Sequence, residues 1–435
     1  MVSIRDWTVF LVSTMLVQCV AAKPPPSLIL EVDAGRYLRE NTPVSIALPT
    51  EYNETSNFQL KRLSDNATVP IQRTSARSNV QLFWILQETL KAGEVRRYQL
   101  GPQPTSPTNN PQVTCQFDKQ HVIVKVGKLP VLQYNHAVIE APKPLDSKYR
   151  RSGHIHPIYN PAGQSLTDDF PPDHAHQHGL FFPWVRTEYG EHPIDFWNQL
   201  GETGQIEHVK FLHKGLSGNV FGQFTVQLTH TDITDKQQPV VVLWDTRLVR
   251  VFNLRDYFLF DLESYQTCFT ETPLLVKKYH YGGLAIRGNR QWFREQTAGR
   301  VRTLLESKPT AQQIAHFPVP RNYLTSEGKT WFDGNETRAR WVDMHGNIDG
   351  QPAGITLMCH PGNFRAPQPV RLHPHKPYFC FAPMQLGDFE ITRGRVFASR
   401  YRFYAHSGPV DAEESERLWQ DYAEPPRVRI VAVGR

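Results

Sequence analysis

A chain of 435 residues with 40% hydrophobic content is long enough to bury a substantial core, and its 34 prolines against 27 glycines disfavour long helices, because proline interrupts the helical hydrogen-bond ladder. The formal net charge of +6 is modest for this length, and no basic run interleaved with aromatics points to nucleic acid. Phosphate-cradling loops, a dinucleotide fingerprint and a Gly-x-Ser-x-Gly elbow are not found, which argues against kinase, Rossmann and α/β-hydrolase readings.

At the N-terminus, Arg5 precedes a mostly apolar run from Trp7 to Val20, and Val20-Ala21-Ala22 stands before Lys23-Pro24-Pro25-Pro26. Residues 1–22 therefore read as a cleaved export signal, and the mature protein is expected to be exported, periplasmic or secreted. The run is short for a span and no second one follows, so no integral membrane segment is expected in the mature chain. Removing the signal takes away Cys19 and leaves Cys115, Cys268, Cys359 and Cys380, for which buried free thiols or one structural disulfide are the expectation. Asn53-Glu54-Thr55, Asn66-Ala67-Thr68 and Asn335-Glu336-Thr337 match the N-glycosylation acceptor pattern.

Residues 23–101 carry short apolar runs broken by turn formers, such as Val44 to Leu48 and Val80 to Leu86, and predict a small N-terminal β-sandwich-like domain. Proline and polar residues mark a linker over 102–111. Beyond it, over 112–410, a two-residue period recurs at Val122, Val124 and Val126, at Phe224, Val226 and Leu228, and at Tyr401, Phe403 and Ala405. Such strands bury one face and wet the other, as in antiparallel sheets. Residues 411–435 read as a C-terminal helix and tail, with Leu418, Trp419 and Tyr422 forming an apolar stripe. The predicted class is all-β: a large antiparallel β-sandwich with a small N-terminal β domain and few helices.

Five of the eighteen histidines fall between His154 and His178, three of them in Asp173-His174-Ala175-His176-Gln177-His178-Gly179. Imidazole is the side chain best suited to bind a transition metal or move a proton near neutral pH. On a strand, neighbours in this row stand about 7 Å apart and the outer two about 13 Å, so a regular strand supplies two ligands and a turn at Gln177 would relax that limit. His174, His176 and His178 are the metal-ligand candidates for a divalent ion of unassigned identity, with Asp173, His156 and His280 as further donors. The competing use is proton transfer, for which His174, His176, His280, Tyr281, Asp173 and Glu327 are the catalytic candidates. Arg365 suits a carboxylate through its bidentate fork, beside Asn363 in the same loop, and Trp341 with Asp343 offers an aromatic platform next to a charge.

The segments Ser152-Gly153-His154-Ile155-His156-Pro157, Leu166 to Pro171, Asp173 to Leu180, Asp195-Phe196-Trp197, Thr325-Ser326-Glu327-Gly328, Arg338 to Asp343 and His360-Pro361-Gly362-Asn363 resemble the PmoA-like family of exported proteins, customarily labelled methane oxygenase PmoA. The likeness runs over most of the chain after the signal. It implies a galactose-mutarotase-like β-supersandwich, found among sugar-degrading functions. In the usual family pattern the position of Gln177 is often histidine, whereas His174 and His176 fit the pattern. The leading expectation is a carbohydrate-active enzyme that cleaves a glycan, its partner being that glycan or a small carbohydrate. A uronate lyase would need a cation or Arg365 to neutralise the carboxylate, a histidine base, and Tyr281 or water as acid. A hydrolase wants paired carboxylates among Asp169, Asp173, Glu327 and Asp343. The alternatives are a noncatalytic glycan-binding protein with a structural metal and the copper-dependent oxygenase of the family label.

Overall fold

The computed structural model describes residues 25–53, 57–76, 79–103, 111–292, 303–304, 306–308, 310, 312–313 and 322–433. The export signal expected over 1–22 and most of the linker expected over 102–111 lie outside the described residues. Among the described residues strand makes up 49% and helix 9%, in several antiparallel sheets that do not close, so the fold is all-β and sandwich-like.

Two eight-stranded sheets supply the main body. One is built of long strands in the order 204–216, 221–232, 240–252, 258–268, 397–407, 351–359, 341–348 and 323–325. The other is built of shorter strands, in the order 370–372, 378–381, 284–287, 180–181, 154–158, 129–135, 121–126 and 113–117. Alternation explains why they stack. Val122, Val124 and Val126 from the second sheet and Phe224, Val226 and Leu228 from the first all lie within 2% of full burial and join one core. Each such side chain taken out of water contributes roughly 1.5–3 kcal/mol before the entropy of ordering it is set against the gain.

The strand Phe397–Ser407 departs from expectation on its second face. Tyr401, Phe403 and Ala405 enter the inter-sheet core, as their period predicts, but Arg402, Tyr404 and His406 are buried too rather than wet. The helix Ala412–Ala423 and the N-terminal domain cover that face, with Leu418, Trp419 and Tyr422 packed among Tyr404, Leu259, Met358 and Ile85. Asp411 caps this helix by accepting from the Glu414 amide at 2.9 Å, an interaction of about 1 kcal/mol, and Pro425-Pro426 ends it.

In the N-terminal domain a five-stranded sheet and a three-stranded sheet enclose Leu30, Leu60, Leu82, Trp84 and Tyr98. The segment expected as a tail becomes its edge strand, Arg427–Val433 pairing antiparallel with Leu28–Asp33. The first and last strands of the described residues thus share one sheet. A buried ion pair, Arg39 to Asp421 at 2.9 Å with the two side chains 2% and 1% exposed, ties this domain to the C-terminal helix.

Candidate metal centre and cleft

The strand His154–Ile158 runs in the short-stranded sheet, with His154 opposite Asn135 and Ile155 opposite Leu180. Ile155 faces the core, so the two-residue period turns His154 and His156 to the other side. The chain then leaves the sheet and returns, and Asp169 and His178 form an antiparallel bridge that sets their side chains together. Gly179 permits the return: its φ is +52°, and a Cβ there would sit 2.3 Å from the Ile155 carbonyl oxygen.

The result is a buried group of two imidazoles and one carboxylate. His178 Nδ1 lies 2.7 Å from Asp169 Oδ1, and His154 Nε2 lies 3.1 Å from Asp169 Oδ2. One potential ligand atom from each of His154, Asp169 and His178 lies within 4.8 Å of the others, so the three could hold a metal ion. Both histidine side chains are 0% exposed and that of Asp169 is 11% exposed. Burial acts to raise the Asp169 carboxyl, but the charges and hydrogen bonds of His154 and His178 overcome it and hold it well below the usual carboxylate range. Burial lowers His178, against the pull of Asp169.

Gln199 fixes the outer side of the group. Its amide nitrogen donates to the carbonyls of Tyr149 at 3.1 Å and Arg150 at 2.7 Å, so its Oε1 is the acceptor that His178 Nε2 meets at 2.9 Å. His178 Nε2 therefore carries a proton and Nδ1 is directed at the centre. Metal-binding histidines are held in this way, by an acceptor on the nitrogen remote from the ion. Two imidazoles with one carboxylate suit zinc, manganese or non-haem iron.

Gln199 also lines a cleft of about 310 Å³ whose wall includes Tyr149, Asp173, His174, His176 and Asn198. Here the structure corrects the reading of the histidine row as a strand. His174 donates its amide to Pro171 and Gln177 to His174, so the row is a pair of turns. The rings of His174 and His176 come to 5.3 Å from each other on the cleft, while His178 turns inward. The expected trio of ligands is thereby split: of His174, His176 and His178, His178 belongs to the buried group, which takes His154 and Asp169 instead. His156 is occupied by Thr167 at 2.9 Å.

Asp173 is bound by Arg287 at 2.9 Å and Lys376 at 3.4 Å. Burial would raise its carboxyl, but His174, Arg287 and Lys376 hold it far below the usual range. Burial, aided by His174 and His178, pushes His176 down to about 3, so its ring is neutral at physiological pH. Tyr281 approaches the same wall through Asn198, and burial raises its phenol well above the ordinary value. Its ring lies 4.7 Å from that of His280 and 5.2 Å from that of Trp197. His280, lowered by burial, thus adjoins Tyr281 rather than the buried group.

The remaining candidates are engaged elsewhere. Arg365 donates to the carbonyls of Pro383, Gly387 and Asp388 and packs over Phe364, so its fork is filled by its own backbone neighbours. Asn363 braces Arg400 with both ends of its amide. Trp341 donates to Glu416 beneath the C-terminal helix, and Glu327 pairs with Arg340. Asp343 is fully buried between His345 at 2.7 Å, His406 at 3.0 Å and Thr356 at 2.6 Å. Arg287, Lys376, Asn198 and Gln199 went unnoticed in the sequence because nothing local distinguishes them from ordinary surface or core residues. His154 and Asp169 stood within the noted histidine and aspartate groups.

Fold and site together define an antiparallel β-sandwich protein with a buried two-histidine, one-aspartate centre behind a polar cleft. Residues 121–420 match the model of DUF6807, a family of unknown function, and the chain belongs to that family. Among solved structures, it is similar to an alpha-mannosidase from Enterococcus faecalis V583, with 10% identity and a TM-score of 0.42, over 94% of this chain and 46% of that one. A protein in the glycosyl hydrolase family 38 from Enterococcus faecalis matches at 9% identity and a TM-score of 0.41, over 94% and 48%. The chain spans about half the length of these structures. No curated protein matches.

Proposed function

We propose that the protein is a metal-dependent, carbohydrate-active enzyme that cleaves an acidic glycan by β-elimination in the Asp173–His176 cleft. The observation that carries this reading is the position of Gln199, which holds His178 of the buried group and lines the cleft that presents His174 and His176. A divalent ion held by His154, Asp169 and His178 would supply positive charge to an acidic substrate. His176, on the cleft wall, is the base, and Tyr281, whose ring packs beside Trp197 and His280, is the acid. The ring of Tyr149 with the amides of Asn198 and Gln199 gives the mixture of flat apolar and polar surface on which sugars rest.

Elimination is favoured over hydrolysis by the carboxylates. Hydrolysis calls for two of them flanking the bond, about 5–9.5 Å apart. The cleft wall holds Asp173, already bound by Arg287 and Lys376, while Asp169 belongs to the buried histidine group and Glu327 and Asp343 are engaged in other parts of the fold. A carboxylate in the donor set moves the metal preference from copper toward zinc, manganese or iron. The reading also takes the chain as an exported, PmoA-like protein, on the strength of its N-terminal run and its motifs.

The test is a screen of uronate-containing and neutral polysaccharides for the ultraviolet absorbance of an unsaturated product, with His176→Ala alongside. Absorbance from the wild type that the variant lacks while staying folded supports the reading. Saturated reducing ends would point to hydrolysis, and binding without any product would point to a noncatalytic glycan-binding protein.

A further inference from the structure

Five arginines are buried among the described residues: Arg39, Arg151, Arg247, Arg287 and Arg402. Four of them hydrogen-bond a carboxylate. Arg39 meets Asp421, Arg247 meets Asp245, Arg287 meets Asp173, and Arg402 meets Asp261. Arg151 is the exception. It is 5% exposed and its backbone is pinned by a bridge to Ile139, yet its guanidinium forms no hydrogen bond with any described residue. Asp169 and Asp195 act on it only through space. A guanidinium this deeply set without a carboxylate partner is costly to desolvate, and its nitrogens, which are not among the sealed unpartnered atoms, keep their access through the cavity that Arg151 lines.

Arg151 lines a cavity of about 320 Å³ that shares Gln199 with the cleft. Arg150 and Ser152 line it as well. The Ser152 oxygen accepts from the His208 amide at 3.1 Å, which leaves its hydroxyl proton to donate. Two acids share the wall: Glu202, bound by Lys148 at 2.8 Å and Lys236 at 3.0 Å, and Glu207, which accepts from the neutral amide of Gln205. Lys148, Arg150 and Arg151 on this wall outnumber the two acids, and Lys236 adds its charge to Glu202.

We infer that this cavity is an oxyanion subsite, in which Arg151 and Ser152 bind a carboxylate or sulfate group of a sugar. It rests on the glycan reading for its substrate class and extends it. Gln199 lines both cavities, so a chain molecule filling one reaches the other past a single side chain. The subsite would select glycans that carry an acidic group on the unit next to the one being cleaved.

Glucuronate, glucose 6-sulfate and glucose, titrated separately into the full-length protein, test this by calorimetry and thermal shift. The wild type should bind one or both anionic sugars at least about tenfold more tightly than glucose, and Arg151→Met should abolish that preference. Glucuronate alone would mark a uronate site, and glucose 6-sulfate alone a sulfated-glycan site. In the absence of ligand, Arg151→Met should keep or raise the melting temperature, while Arg247→Met, the same change at a paired arginine, should lower it. Equal affinity of the wild type for all three sugars, an unaltered preference in Arg151→Met, or a loss of folding in that variant matching Arg247→Met would overturn the inference. His176→Ala should keep anion binding intact, so failure of the cleavage reading is distinguishable from failure of the subsite.

Discussion

Replacing Gln199 by Leu separates a residue that orients a metal ligand from one that merely fills space. The change keeps bulk but removes the acceptor 2.9 Å from His178 Nε2, a group sealed from solvent. An orphaned buried donor costs about 1–3 kcal/mol, and the carbonyls of Tyr149 and Arg150 lose their donor as well. His178 would then be free to turn its ring or exchange its proton between nitrogens. Loss of such an outer partner lowers metal affinity roughly 10- to 100-fold, equal to about 1.4–2.7 kcal/mol. Competition against a chromophoric chelator measures the affinity, and thermal unfolding of the metal-free protein measures the structural part. Metal affinity within twofold of the wild type would refute the reasoning, whatever the stability, because His178 would then not depend on Gln199 for its orientation.

Four other outcomes are expected. His176→Gln should reduce turnover by about 10²- to 10⁴-fold with metal content unchanged, as measured by steady-state rates on the substrate that the polysaccharide screen identifies. His208, pushed by burial and by His136 from 6.5 down to about 4, takes up its proton more readily in the unfolded chain, so its contribution is complete above pH 6.5 and is lost as the pH falls toward 4. Denaturant unfolding at pH 7 and pH 5 should therefore show a smaller loss in His208→Gln than in the wild type, by about 1 kcal/mol after allowance for solvent screening. Asp421→Ala leaves Arg39 buried without its carboxylate and should cost about 3–5 kcal/mol in the same assay. Cys115, Cys268, Cys359 and Cys380 are free thiols, so alkylation of the unfolded, unreduced protein followed by mass spectrometry should label all four, and any linked pair would contradict the structure.

The period of the strands was legible because it is local: Val122, Val124 and Val126 reveal their buried face without knowledge of what covers it. What covers a face is not local. The second face of Phe397–Ser407 is buried by a helix and a domain that no pattern within the strand announces, and Arg427–Val433 finds its partner at the opposite end of the chain. The histidine cluster was visible as a cluster, but two turns, set by hydrogen bonds from His174 to Pro171 and from Gln177 to His174, decide which rings face the cleft and which the interior. Arg365, Asn363, Trp341 and Asp343 were chosen by residue type, and type alone does not distinguish a guanidinium satisfied by three carbonyls from one awaiting a ligand. Arg151 shows the reverse, a plain arginine in the sequence whose lack of a hydrogen-bond partner emerges only in three dimensions.

Equilibrium dialysis of the purified protein against manganese, iron, zinc and copper, followed by elemental analysis, addresses the buried centre most directly. One divalent ion per chain should be retained by the wild type and lost from both His154→Ala and Asp169→Asn, while Asp343→Asn, at the other buried aspartate held between two histidines, should keep its ion if folded. Retention of the ion by Asp169→Asn, or a wild type that holds no stoichiometric ion from any of the four dialyses, would contradict the account.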